Sequence, residues 1–271
     1  LVDFIRRNRT RPFFAYYPMI LPHWPFQPTP DSPDWDPAET REWPRGKWNR
    51  RHFRDMVSYA DKLTGKIDRT LKELGIRENT LLLFTCDNGT YTGITSPFRG
   101  RNVRGGKGTT PNAGTHVPLI ASWPATIAPG VVSRDLVDFS DFLPTLAATA
   151  GGALPQDRQI DGRSFLPQLK GRIGTPRKWT FSWYQRNGKR DGTVKRFARN
   201  HTYKLYHDGR MYHISSDELE KRQLTPDQID TTRTQIRAQL KTVIDTIYAE
   251  ERQFPYQRDK PASQNSRQTT P

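Results

Sequence analysis

The chain has 271 residues, 34% of them hydrophobic, and its 43 Lys and Arg outnumber 28 Asp and Glu for a formal net charge of +15. This length carries one large domain, or one domain with a small companion, and no stretch approaches the roughly 18 apolar residues of a membrane span. A single cysteine, Cys86, excludes an internal disulfide and a multi-cysteine zinc site; the basic balance attracts polyanions in general, yet no zinc finger, basic zipper or RNP-type motif directs it to nucleic acid.

Leu1 opens inside what reads as the end of a helix, Val2-Asp-Phe-Ile-Arg-Arg, so further chain is expected before it, and a missing signal-peptide pattern says nothing about location. Arg11-Pro-Phe-Phe-Ala-Tyr-Tyr17 has the aromatic texture of a strand. Prolines at 18, 22, 25 and 28 then make a rigid, non-helical segment that fixes His23 just after it. A structural histidine and a site histidine both fit that position. Residues 29–48 have no periodicity and read as a surface loop. From Asn49 to Leu74, Phe53, Met56, Val57, Ala60, Leu63, Ile67, Leu71 and Leu74 recur at helical steps, and Gly75 stands where a helix ends.

The centre of the chain is Thr80-Leu-Leu-Leu-Phe-Thr-Cys-Asp-Asn-Gly89. An unbroken apolar run bounded by turn residues suits a strand buried on both faces, as in a parallel sheet. Asp87 and Asn88 fall where the strand gives out, which is where ligand crevices lie in open α/β sheets. A carboxylate and an amide oxygen delivered together suit a hard divalent cation such as Ca2+ or Mg2+; a simple Asp-Asn-Gly turn fits the same residues. Cys86, apolar-flanked, reads as a core residue rather than a reactive thiol.

Ser96 to Thr110 reads as a long Gly- and Arg-rich loop. Glycines at 100, 105, 106 and 108 allow close backbone approach to a ligand, and Lys107 between two of them can present a positive charge to an oxyanion. The spacing is not that of a P-loop, because Gly108 stands where Ser or Thr is required. Gly114 to Pro124 reads as another buried strand, Leu143 to Ala150 as an apolar helix. From Trp179 the texture changes. Thr180–Tyr184, Val194–Ala198, Tyr203–Tyr206 and Met211–Ile214 read as short antiparallel strands, with turns at Asn187-Gly188 and Asp208-Gly209. Thr225-Pro-Asp-Gln228 is a capping box, and Ile229, Ile236, Leu240, Val243, Ile244 and Ile247 form the face of a last helix. The resulting division is 1–170, an α/β part; 171–251, an antiparallel sheet with a helix; and 252–271, a polar, disordered tail.

Four stretches in order resemble the type I sulfatases, the arylsulfatase A-like branch of the alkaline phosphatase superfamily. They are Pro12-Phe-Phe with Pro22-His-Trp-Pro-Phe26, Thr80 to Gly89, Gly106-Lys-Gly-Thr-Thr110 with Gly114-Thr-His-Val-Pro118, and Asp141-Phe-Leu-Pro-Thr-Leu146. Asp161-Gly-Arg-Ser and Asp208-Gly-Arg-Met-Tyr212 through Asp217-Glu-Leu-Glu220 are similar to the family's closing segments. The resemblance implies part of an alkaline phosphatase-like α/β/α sandwich followed by a small antiparallel sheet with a helix. It also implies one divalent cation, usually Ca2+, with Asp87 and Asn88 among its ligands, Lys107 on the sulfate and His23 near the leaving oxygen. The substrate would be a sulfated small molecule or a sulfated polysaccharide, and the compartment periplasmic or secreted.

This sequence departs from the family pattern in what it lacks. The early aspartate pair, the Lys-x-His and the Cys-x-Pro-Ser-Arg context of the formylglycine nucleophile do not occur in residues 1–271. Thr95-Ser-Pro-Phe-Arg99 has the Pro and Arg spacing, but its Thr would oxidise to a ketone. Asn112-Ala-Gly-Thr-His116 replaces the frequent Glu-Gly-Gly-x-Arg, which leaves the role of His116 open. The expectation is the later portion of a sulfatase, inactive alone. A phosphoesterase or phosphonate hydrolase of the same superfamily, and a non-catalytic polyanion-binding protein, are the alternatives.

Overall fold

A computed structural model gives the structure over residues 1–38, 49–98, 100–186 and 193–253; the rest of the expected 29–48 loop, the Asn187–Gly188 turn and the tail from 254 lie outside these residues. The opening helix α1, Val2–Asn8, buries Ile5 and packs on α2, His52–Glu73. The helical spacing read in the sequence places Met56, Ala60 and Leu71 inside, whereas Val57 faces out. Gly75 closes α2 at φ +69, with its N–H donating to the Lys72 carbonyl at 3.0 Å, the left-handed turn glycine adopts most readily.

Strand β1, Leu82–Thr85, lies where the apolar run predicts a strand, but its pairing differs from the expectation. It runs antiparallel to the strand Leu119–Ser122, and all four of its residues are half-buried. Among the described residues β1 thus has one neighbour, and that neighbour is antiparallel rather than parallel. Arg77 ties this pair to α2: its guanidinium donates to Asp68 at 2.6 Å, to the Thr80 carbonyl at 3.0 Å and to the Ser122 hydroxyl at 2.5 Å. Arg11–Tyr17 has no ladder partner among the described residues and forms no strand; Phe14 is 67% and Tyr16 79% exposed.

The expected loop over 96–110 is in part a hairpin, β2 Thr95–Phe98 against β3 Arg101–Arg104, with Gly100 at φ +77 in its turn. A single helical turn, α3 Asn112–Thr115, precedes Leu119–Ser122, which becomes β4. The strand expected from Gly114 is thus confined to its last part. Helix α4, Phe142–Thr149, follows a 3-10 turn at Phe139–Asp141. A further turn of helix, α5, spans Leu166–Leu169.

Beyond it, β5 Thr180–Tyr184, β6 Lys195–Arg199, β7 Tyr203–Tyr206 and β8 Met211–His213 form an antiparallel meander in sequence order. The Asp208–Gly209 turn joins the last two, with Gly209 at φ +90. Helix α6, Thr231–Gln253, lays Leu240 and Ile244 on Ala198, Tyr203, Leu205 and Met211. The capping box read at Thr225–Gln228 closes a 3-10 turn instead; α6 itself is capped by Asp230, whose carboxylate accepts the Arg233 N–H at 2.8 Å.

The two parts are joined at Asp141, 2% exposed. Its carboxylate accepts the N–H groups of Asp138 and Arg163 at 2.8 and 2.7 Å and the Arg177 guanidinium at 2.6–2.9 Å. Arg177 also reaches the Ser140 hydroxyl at 2.7 Å and the Asp161 carbonyl at 3.0 Å. Gly162 fits here because a Cβ would fall 1.8 Å from the Ser140 carbonyl oxygen.

Candidate functional site

Three loops meet beyond the end of β1. The first begins two residues after Thr85, where Asp87 is exposed and Asn88 half-buried. The Asn88 amide N–H donates to the Asp87 carboxylate, which leaves the amide oxygen and carboxylate oxygens as neighbouring hard donors. Among the described residues, no group of three or more His, Cys, Asp or Glu is placed to hold a metal. The donors are of the kind a hard cation takes, and they come from two side chains. Cys86 beside them is half-buried, and its thiol is pushed up by burial and then by the Asp87 charge, which disfavours the thiolate a nucleophile needs.

The second loop carries Lys107. Its backbone N–H donates to the Thr90 carbonyl at 2.9 Å, and the Gly89 N–H donates to the Gly114 carbonyl at 3.0 Å. The cation-type donors and Lys107 are thereby stitched together through main chain. The glycines make this possible, but not as the sequence suggested. A Cβ at Gly105 would lie 2.2 Å from the Tyr91 carbonyl oxygen, and one at Gly114 would lie 2.1 Å from that of Thr109. The close approach is backbone to backbone rather than backbone to ligand. Among the described residues no group takes a hydrogen bond or ion pair from the Lys107 ammonium, so its charge is available to an anion.

The third loop presents His23, exposed, with Leu21–Pro22 and Trp24–Pro25 both cis. The His23 N–H donates to the Ile20 carbonyl at 2.8 Å, and its ring Nδ1–H donates to the Trp24 carbonyl at 2.5 Å. That bond fixes the tautomer and leaves Nε2 to exchange a proton. Trp24 stacks on Tyr91 at 6.3 Å, and the buried Phe26 meets Tyr91 edge-on at 5.8 Å. Tyr91 therefore packs the His23 loop against the segment that bonds Lys107. His23 makes no hydrogen bond to Asp87, Asn88 or Lys107; the loops converge while the side chains stay separate.

Sequence reasoning missed what lies behind the Lys107 loop. Lys204, 0% exposed, donates to the Thr110 carbonyl and at 2.7 Å to Glu220. The Tyr206 hydroxyl meets the Thr110 hydroxyl at 2.8 Å and Glu220 at 2.5 Å. Arg199 donates to the Asn112 side-chain oxygen at 2.9 Å. Burial lowers Lys204 to about 8 against the opposing pull of Glu220, and burial with the Glu220 bond raises Tyr206. The sequence carried a signal: Lys204 and Tyr206 are two apart in a strand, hence on one face, and a lysine there needs a buried partner.

Comparison with known proteins gives these residues a context. The family profile described as "Sulfatase" matches residues 1–153, and one described as "N-sulphoglucosamine sulphohydrolase, C-terminal" matches 109–250. Arylsulfatase A of Homo sapiens is 36% identical over 178 residues, which cover 65% of this chain and 32% of that protein. Steryl-sulfatase of Mus musculus is 33% identical over 175 residues, covering 62% and 26%. The chain thus spans about a quarter to a third of the length of these relatives. Among solved structures, Ps i-CgsB superposes with a TM-score of 0.65 at 24% identity over 92% of this chain and 52% of its own. BT4656, crystallised with D-glucosamine-2-N,6-O-disulfate, gives 0.60 at 23% over 74% and 41%. These neighbours have the alkaline phosphatase-like fold, and this chain matches it with mixed helices and strands and a small antiparallel sheet of its own.

Proposed function

Because this chain belongs to the sulfatase family, we propose that it carries the later part of a sulfuric ester hydrolase, the part that handles cation, sulfate and leaving group. The observation that carries this reading is the main-chain stitch between the Asp87–Asn88 turn and the Lys107 loop. It supports reading the Asp87 and Asn88 oxygens together with the Lys107 ammonium, which has no hydrogen-bond or ion-pair partner among the described residues.

In this reading Asp87 and Asn88 hold a divalent cation, Ca2+ by donor type, which when bound offsets negative charge on the sulfate. The Lys107 ammonium binds a sulfate oxygen. His23, its Nδ1–H spent on Trp24, can give a proton from Nε2 to the bridging oxygen as the alcohol departs when it stands as the imidazolium, and is left as the neutral Nδ1–H ring. Residues 1–271 contain no formylglycine context, so attack on sulfur is assigned to no residue of this chain, and hydrolysis is proposed of the whole protein. A sulfated small molecule or polysaccharide is the proposed substrate. The net charge of +15 suits such an anion, and a structural neighbour was crystallised with k-i-k-neocarrahexaose. A periplasmic or secreted location belongs to the same proposal.

The test is sulfate release from an aryl sulfate by the full-length protein with Ca2+. Lys107→Ala is expected to lower kcat/KM on the order of 10²-fold. His23→Ala should lower kcat by about 10²-fold or more, with the larger loss on esters of less acidic alcohols. Both variants within twofold of wild type would overturn the assignment.

A further inference from the structure

We propose that Lys204, Tyr206 and Glu220 form a buried clamp on Thr110 that sets the position of the Gly106–Thr110 loop, making them positioning residues for the Lys107 ammonium. This rests on the reading of Lys107 as the sulfate-binding group.

The geometry runs in one direction. Thr110 is buried and is gripped twice, at its carbonyl by Lys204 and at its hydroxyl by Tyr206. Glu220 holds the two gripping groups together and sits at φ +55, a left-handed conformation that a non-glycine residue adopts at a cost. The Lys204 ammonium also lies 3.7 Å from the centre of the Phe197 ring, so packing as well as pairing limits where it can go. On the far side of Thr110 the loop has little slack. Thr109 N–H donates to the Gly106 carbonyl at 2.9 Å, and Gly106 packs on Ala113, where a Cβ would lie 2.7 Å from the backbone. Lys107 lies between those two points. Tyr184 of β5 closes the loop from above, its hydroxyl 3.2 Å from where a Cβ on Gly108 would stand. Asn112, held by Arg199, begins the turn whose Gly114 carbonyl accepts from Gly89. The C-terminal sheet thus reaches Lys107 directly through Thr110, and reaches the Asp87–Asn88 turn through Asn112 and Gly114.

Two variants of the full-length protein test this. Tyr206→Phe removes one hydroxyl and keeps the ring. Lys204→Met combined with Glu220→Gln removes both charges, so no buried charge is left alone. Amide hydrogen exchange would be followed at Lys107, Thr109 and Gly114 and across the Thr180–His213 sheet, together with thermal unfolding and with KM and kcat for an aryl sulfate. The expected result is loop exchange faster by about tenfold in either variant, the order one lost hydrogen bond produces, with sheet exchange nearly unchanged. KM should rise by a similar factor and kcat change less. The double variant should regain thermal stability relative to Lys204→Met alone without regaining KM, a separation that a purely structural role would not produce. Should the double variant not fold, Tyr206→Phe decides alone. Unchanged loop exchange, or exchange rising equally in loop and sheet, overturns the clamp. Lys107→Ala serves as control: an unaltered KM there overturns the sulfate assignment and the link from clamp to sulfate, whereas a raised KM there with unchanged loop exchange in the variants overturns the clamp alone.

Discussion

The two halves of this chain are stabilised differently. In the C-terminal sheet, β6, β7 and β8 bury Phe197, Ala198, Tyr203, Leu205, Tyr206, Met211 and Tyr212, and α6 closes over one face with Leu240 and Ile244. In the N-terminal half, β1 is half-buried along its whole length, β4 exposes Ile120, and Phe14, Tyr16 and Ile20 stand in solvent. The C-terminal half closes a core over its own sheet, whereas the N-terminal core of Phe26, Met56 and Ile94 includes no residue of β1 or β4. The N-terminal half carries the candidate chemistry on a two-stranded sheet, an arrangement of marginal stability by itself. It is held by contacts from outside: Arg77, which bonds Asp68 of α2, Arg177 at the junction, and Lys204 and Tyr206 from the C-terminal sheet. The site is therefore only as well defined as those contacts, and each can be removed singly.

The largest effect is expected at the junction. Arg177→Met leaves the Asp141 carboxylate buried with two backbone donors and no countercharge. Breaking a buried pair from one side costs about 3–5 kcal/mol, so urea unfolding should show a loss of that order. A loss below about 1 kcal/mol would mean that the halves are joined mainly by packing.

Next comes the contrast itself. Leu205→Ala removes a side chain that is 2% exposed and touches α6, and should cost about 2–5 kcal/mol. Leu83→Ala, in half-buried β1, should cost less than half of that, because fewer contacts are lost and the site can relax. Equal losses would erase the distinction between a closed and an open half.

Legibility in the sequence follows the same division. The four C-terminal strands and the Asp208–Gly209 turn are readable because their signals are local: short runs rich in aromatic residues, bounded by turn residues, and a glycine at φ +90. β1 and β4 are both readable as strands, but their antiparallel pairing is not, since pairing depends on contacts that no local pattern encodes. Arg11–Tyr17 has strand composition and no ladder among the described residues. The β2–β3 hairpin is hidden by Pro97 within β2, a residue that argues against a strand. In the site, Asp87 and Asn88 are legible as a strand's end and Lys107 by its flanking glycines. Their main-chain stitching is legible only afterwards, in the glycines that leave room for it. The clamp on Thr110 is not legible as a contact, because its donors lie 94 and 96 residues further along the chain.

Gly114→Ala probes that stitching with a single methyl group. The added Cβ would lie 2.1 Å from the Thr109 carbonyl oxygen and 2.5 Å from that of Gly106, both backbone. Overpacking of this kind costs about 1–3 kcal/mol. The loss should be accompanied by faster exchange at Gly89 and Lys107, whose bonds cross the same seam. Normal exchange at both would place the accommodation elsewhere.

The smallest contrast comes from one proton in the closed half. Burial lowers Lys204 from 10.5 to about 8, with Arg199 pushing the same way and Glu220 opposing. Below pH 8 the folded and unfolded chains both hold this proton, and the cost of burying the charge is fully present. Between about 8 and 10.5 the unfolded chain binds more proton than the folded one, so stability rises with pH and then levels off. From pH 8 to 9 the gain should be on the order of 1 kcal/mol. Urea unfolding of wild type and of Lys204→Met with Glu220→Gln, compared pH by pH, cancels the titration of the other lysines and tyrosines. The difference between the two should shift in favour of wild type across that interval. A difference that stays flat would mean that Glu220 holds Lys204 charged well above 8, in which case the clamp is an ion pair throughout the range where a sulfate ester would be bound.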